Sequence, residues 1–116
     1  MFAFLGVFIG GGAGSVLRWL VCVAVPAHWG TFAVNVAGAF FIGAAYAFFQ
    51  RSTGIPPELK LFVMSGLLGG FTTFSTYLLD FARLAGQGRA GEAAIYLACS
   101  VLFGAAALIA GMKCLG

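Results

Sequence analysis

Gly66-Leu67-Leu68-Gly69-Gly70-Phe71-Thr72-Thr73-Phe74-Ser75-Thr76-Tyr77 lies in the middle of an apolar stretch, Glu58 to Leu84, whose charges (Glu58, Lys60, Asp80, Arg83) are confined to its ends. A stretch of that length and polarity reads as a helix that crosses a bilayer, which takes roughly 20 apolar residues. Two adjacent glycines followed by hydroxyl and β-branched residues nevertheless make a poor helix interior. The segment therefore predicts a crossing helix that breaks between Gly69 and Thr73, around its midpoint Phe71. Irregular backbone at that depth is tolerated only where protein buries it or where it coordinates something. Two readings of the break follow. Freed carbonyl oxygens form a cage for a small hard cation, or threonine hydroxyls satisfy a simple kink.

Outward from this segment the chain repeats the same pattern. Of its 116 residues 62% are hydrophobic and 8% charged, which is far more apolar surface than one small soluble core can hide. Met1 to about Val25 is apolar apart from Arg18 and is closed by Pro26. Gly30 to Phe49 carries no charge. Glu58 to Leu84 follows a polar loop that contains Pro56 and Pro57, and Glu92 to Met112 follows the Gly86-Gln87-Gly88-Arg89-Ala90-Gly91 turn. The predicted fold is an all-α membrane protein of four transmembrane helices, a single domain over residues 1–116. The first stretch lacks both a basic lead and a small-residue cleavage pattern, so it reads as a retained helix and not as a secretory signal.

Charge placement bears on partners and on orientation. Arg18, Arg51, Lys60, Arg83, Arg89 and Lys113 are scattered at helix ends, where such residues anchor to headgroups, and they form no patch for nucleic acid. Four crossings put both termini on one side. Arg51, Lys60 and Lys113 then face Arg83 and Arg89, with Arg18 joining the second group if it lies at its helix end, so the bias is one or zero. Because lysine and arginine asymmetry sets orientation, so balanced a chain is expected to insert both ways, and an antiparallel homodimer is the natural product. Glycines at intervals of four, Gly6, Gly10 and Gly14 in the first helix with Gly66 and Gly70 in the third, allow backbones to approach closely. The spacing does not distinguish contact within a subunit from contact between subunits.

No aspartate or glutamate falls inside the four spans, which argues against proton relays and against cation sites built from side chains. The membrane-embedded polar groups are neutral, among them Thr31, Asn35, Tyr46, Thr72, Thr73, Ser75, Thr76, Tyr96 and Ser100, and they suit an anion or a neutral solute. Asn35 stands out, because a lone amide in an apolar span must find partners or face a polar cavity. Phe74 and Tyr77 share a helical face. Ring edges are electropositive and can favour an anion without a formal charge, although rings at this spacing also serve as packing. Tyr96 and Ser100, four apart, form a polar stripe, or else Ser100 bonds the carbonyl one turn back. Cys22, Cys99 and Cys114 read as small packing residues, and His28 as polar surface. The chain shows no nucleophile and base pair and no phosphate-binding loop, so it does not read as an enzyme. Besides a channel, a small secondary transporter and a non-conducting assembly subunit stay open on composition.

Gly12-Ala13-Gly14-Ser15-Val16-Leu17-Arg18-Trp19, Gly30-Thr31-Phe32-Ala33-Val34-Asn35-Val36-Ala37-Gly38 and Gly66 to Thr76 resemble, in order and spacing, the signature segments of the Fluc (CrcB-type) family of microbial fluoride channels. The resemblance covers essentially the whole chain. It implies a dual-topology homodimer whose two antiparallel pores export fluoride passively across a bacterial inner or plasma membrane. It also implies that Asn35, Phe74, Tyr77, Thr76, Tyr96 and Ser100 line the pore and that Arg18 lies at the vestibule. Carbonyls of Gly69 and Thr72 would hold a structural sodium ion at the dimer centre. Tyr77 stands where the family commonly has a second phenylalanine, and Gly104 where many members carry a further hydroxyl.

Overall fold

The computed structural model describes residues 2–26 and 28–115, apart from the side chains of Phe2 and Ser75, so the Ser75 hydroxyl lies outside the described groups. Among the described residues all regular structure is helical. Helix α1 spans Phe2–Ala24, α2 Trp29–Arg51, α3 Pro57–Leu61, α4 Gly69–Phe71, α5 Phe74–Gly86 and α6 Ala90–Leu115, with a π-helical stretch, Phe62–Leu68, between α3 and α4. Taken from Pro57 to Gly86 as one span, the third gives four helices long and apolar enough to cross a membrane. Proline at the first helical position of α3 is pre-set for helix and needs no N–H there. The α5 to α6 turn closes with Gly88 in the left-handed region (φ 76°) and Arg89 N–H donating to Leu84 O at 3.0 Å, the 6→1 bond that satisfies an orphan carbonyl at a helix end.

Within the third span, helix stops at Phe71 and resumes at Phe74. Thr72 (φ −96°, ψ 154°) and Thr73 (φ −155°, ψ 124°) are extended. The interruption thus falls on the threonines, whereas Gly69 and Gly70, where sequence placed its start, stay helical. The reason lies in α1. A Cβ on Gly70 would strike the Gly11 backbone, and one on Gly14 would strike the Leu67 carbonyl. Gly10 and Gly66 meet in the same way, with a Gly66 Cβ 3.2 Å from the Gly10 Cα. These glycines serve a close helix crossing inside one chain, which answers the question their spacing left open. A second crossing joins α2 to α6, where Gly43 lies on the Leu108 carbonyl and Gly111 on the Phe40 carbonyl.

Little apolar surface is buried by this packing. One cluster gathers Tyr77, Leu84, Ala93 and Tyr96, while Phe4, Phe8, Trp19, Ile95 and Leu102 stand well exposed. Exposed apolar residues along all four long helices are what a lipid solvent or a second subunit would cover. At its narrowest the chain is 20 Å thick, about two helix diameters.

Candidate functional site

Thr73 is held in its extended conformation by a residue 38 positions earlier. Asn35 Nδ2 donates to the Thr73 carbonyl at 2.7 Å, and the Thr73 N–H donates to Asn35 Oδ1 at 2.6 Å. The amide side chain thereby pairs both backbone groups of one residue, as a neighbouring strand would. This resolves the cost of a polar side chain in an apolar span and of an unwound backbone beside it. Thr73 also caps α5, its hydroxyl accepting from the Thr76 N–H at 3.5 Å and lying 3.3 Å from the Thr76 hydroxyl. Thr72 turns its hydroxyl back to the Leu68 carbonyl at 3.1 Å.

The clamp separates two cavities. On one side, about 280 Å³ is lined by Asn35, Thr73, Phe74, Tyr77, Ser100 and Gly104, together with Ala39, Ile42, Thr72 and Leu108. The Phe74 and Tyr77 rings meet edge to face, centroids 6.5 Å apart at 83°. Phe74 is 62% exposed, whereas Tyr77 and Asn35 are buried. On the other side, about 240 Å³ lies between Arg18, Thr31, Thr73 and Thr76, with Ser15, Trp19 and Cys22. Arg18 Nε is buried there without a hydrogen-bond partner among the described residues. Of the residues singled out for the pore, Asn35, Phe74, Tyr77 and Ser100 therefore share one cavity, and Thr76 joins Arg18 in the other.

Tyr96 takes a third position. It is buried behind Tyr77, ring centroids 5.7 Å apart, and its hydroxyl donates to Asp80 Oδ2 at 3.1 Å, with the His28 carbonyl 3.3 Å away. Ser100 donates to the Tyr96 carbonyl at 2.7 Å, the local bond that sequence offered as its alternative role. Two residues read as peripheral prove structural. His28 is only 8% exposed and meets Tyr96 edge to face with ring centroids 4.5 Å apart, so it is not polar surface, and Asp80 is equally buried. Their burial follows from the Tyr96 hydroxyl needing an acceptor once its ring is packed. No local pattern announces it. His28, Asp80, Arg83 and Arg89 border a polar recess of about 350 Å³ at the helix ends.

Chemically, the cavity beside Phe74 offers hydrogen-bond donors and ring edges. Neither an acidic nor a basic side chain lines it. Such a lining can replace part of the hydration of a small anion without binding it as tightly as a fixed cation would. No group of three or more His, Cys, Asp or Glu that could hold a metal occurs among the described residues.

The family model described as CrcB-like protein, Camphor Resistance (CrcB), matches residues 5–112. A protein of Cronobacter sakazakii named fluoride-specific ion channel FluC is 48% identical over 105 residues, 86% of this chain and 82% of that one. A Bacteroides fragilis protein of the same name is 44% identical over 114 residues, 90% and 89% of the two chains. One from Escherichia coli is 44% identical over 103 residues, 84% and 81%. Those relatives carry the name of a channel, not of an enzyme. A match that begins in α1 and ends in α6, taking in both halves of the Asn35–Thr73 clamp, means that this chain is a multi-pass membrane protein and belongs to the CrcB-like family.

Proposed function

We propose that this chain is a subunit of a fluoride-selective channel that lets fluoride leave the cytoplasm passively. The observation that carries the reading is the cavity in which Asn35, Phe74, Tyr77 and Ser100 converge, in a chain 44–48% identical to proteins named fluoride-specific ion channels. Phe74 presents a largely exposed ring, whose edge can face an ion. Asn35 keeps one N–H beyond the one used in its clamp on Thr73. Arg18 and Thr76, in the neighbouring cavity, draw the anion toward the Asn35–Thr73 clamp. The largely exposed Phe74 leaves one side of the cavity for a second subunit to close, and the near-zero basic-residue bias supports an antiparallel homodimer with two pores in a bacterial inner membrane.

A sodium ion fits the interruption of the third span. In a continuous helix the carbonyls of Gly69 and Thr72 would accept from Thr73 and Thr76 N–H groups. Here those N–H groups go to Asn35 Oδ1 and to Thr73 Oγ1. Two carbonyl oxygens are thus released from helical partners, and oxygen donors of this kind suit a hard cation. Such an ion would neutralise converging carbonyl dipoles where two copies of the interruption meet at mid-membrane.

The test is fluoride efflux from liposomes that contain the purified protein, with chloride as control. Selective fluoride release without a coupling ion gradient is expected. Release that requires a proton or sodium gradient would replace the channel by a transporter. C-terminal reporters should be found on both membrane faces, and a reporter on one face only would remove the antiparallel dimer.

A further inference from the structure

We propose that the Tyr77 hydroxyl donates a hydrogen bond directly to the permeating anion and is the strongest uncommitted donor of the pathway. The inference rests on the channel reading above and deepens it. It follows from asking where each polar hydrogen around the cavity goes. Ser100 gives its proton to the Tyr96 carbonyl at 2.7 Å. Thr72 gives its own to the Leu68 carbonyl at 3.1 Å. The Thr73 hydroxyl is engaged with Thr76 in capping α5, and one N–H of Asn35 is held by the Thr73 carbonyl at 2.7 Å. Of the donors that line this cavity, the second Asn35 N–H and the Tyr77 O–H remain.

Tyr77 is the less expected of the two. Its residue is only 7% exposed, and its hydroxyl oxygen is buried with no hydrogen-bond partner among the described residues. Ser100 and Asn35 are polar neighbours of the oxygen, but neither meets hydrogen-bond distance and angle with it. Interiors rarely leave such a group unpaired, because the desolvation of a polar group is repaid only when a partner is supplied. Across the same cavity Gly104 leaves open space where a Cβ would stand, which is room for an ion beside the hydroxyl. A phenolic O–H is a donor without a positive charge, so it lowers the cost of dehydration and still allows release. In this chain the second ring therefore does more than present an edge: Ser100 is committed as a donor to its own helix, and Tyr77 takes its place.

The experiment compares initial fluoride efflux from liposomes over a range of fluoride concentrations for five proteins. They are the unmodified chain, Tyr77→Phe, Phe74→Ile, and two forms made by suppressor incorporation at position 77, with 4-methylphenylalanine and with 4-aminophenylalanine. The methyl form fills the volume of the hydroxyl without a donor, and the amino form restores one. Tyr77→Phe and the methyl form should elute as the unmodified protein does, yet transport about tenfold more slowly at low fluoride, as loss of one hydrogen bond to a charged group implies. The amino form should stay within about threefold of the unmodified rate. If Tyr77→Phe matches the unmodified protein at every concentration, or if the amino form is as slow as the methyl form, the hydroxyl is no ligand and the inference is overturned while the channel reading stands. If the unmodified protein carries no fluoride, the channel reading itself fails and this inference falls with it; if Phe74→Ile carries it undiminished, the ion does not pass this ring and the inference is overturned while conduction stands.

Discussion

The twelve residues from Gly66 to Tyr77 serve two seams that are built on opposite principles. Gly66 and Gly70 face α1, where backbone meets backbone with no side chain between and Gly10, Gly11 and Gly14 supply the other surface. Thr72, Thr73 and Phe74 face α2 and α6, where a single amide from Asn35 holds the chain open and the space beside it stays unfilled. The first seam is stabilised by packing at contact distance, as association in lipid requires. The second is held by hydrogen bonds that would go unmet in lipid if either partner changed. One seam fixes the position of the other, since the helix pressed against α1 up to Phe71 sets where Thr73 must meet Asn35. Rigid packing on one face thus permits a polar, partly open structure on the other.

The sharpest way to break this comparison is to alter the amide. Asn35→Asp keeps the size of the side chain and one acceptor but loses the N–H that bonds the Thr73 carbonyl, so two acceptors face each other in a buried place. If ionised, the carboxylate also repels an anion in the adjoining cavity. Fluoride efflux should fall by about a hundredfold or more, as leaving a buried polar or charged group unmatched implies. Efflux at the unmodified rate from protein of unchanged oligomeric state would mean that the clamp is dispensable and the two seams are independent.

Phe74→Ile addresses the open side of the same seam. The substitution keeps apolar bulk and removes the ring edge, and the edge-to-face pairing with Tyr77 goes with it. Efflux should fall by about tenfold, a loss of the size expected for one aromatic electrostatic contact, while elution and thermal stability change little because Phe74 is largely exposed. A stable protein with full efflux would assign the ring to packing against a partner.

The contrast between the seams also decides what the sequence could disclose. Four spans were legible because hydropathy and prolines mark them directly: Gly30 to Phe49 was expected and Trp29–Arg51 is found. Glycines four apart were legible as a contact surface because the spacing is set by helix geometry alone. The position of the interruption was displaced, since propensity favours breaking at Gly69 and Gly70 whereas tertiary contact with Gly11 keeps them helical and Asn35, 38 residues away, opens Thr73 instead. Long-range pairing of that kind leaves no periodic trace. The same holds for the bond from Tyr96 to Asp80, 16 residues apart, and for the burial of His28. Thr76 was grouped with Phe74 on motif alone. Two residues apart on a helix is about 200° of rotation, and the structure accordingly turns Thr76 to the cavity of Arg18.

Within the packed seam, Gly14→Ala measures how little tolerance there is. The added Cβ would strike the Leu67 carbonyl and crowd the Phe71 N–H, both of them backbone and neither able to rotate away. Overpacking of this kind costs about 1–3 kcal/mol, to be read as a lower midpoint of thermal unfolding in detergent and as poorer recovery of folded protein. Because Phe71 precedes the interruption directly, efflux from the surviving protein should also fall. An unchanged midpoint would mean that α1 slides to make room and does not set the register of the clamp.

The smallest effect is expected at Gly91, and its smallness is what makes it informative. Gly91 lies in the first turn of α6, exposed, and beyond its own helical backbone nothing stands within 4 Å of the place its Cβ would take. Glycine in a helix costs backbone entropy relative to alanine, up to about 1 kcal/mol in a helix interior and less near an end. Gly91→Ala should therefore leave efflux unchanged and raise the unfolding midpoint slightly, by a stabilisation of about 0.5 kcal/mol. The sign is opposite to that at Gly14 although the substitution is identical, because at Gly14 the missing Cβ is the contact, whereas at Gly91 it is only an absence. If both alanines destabilise, glycine is needed in these helices for some general reason such as close approach of lipid, and the seam against α1 loses its special standing. Opposite signs would tie the close crossing to the particular glycines that face Leu67, Gly66 and Phe71.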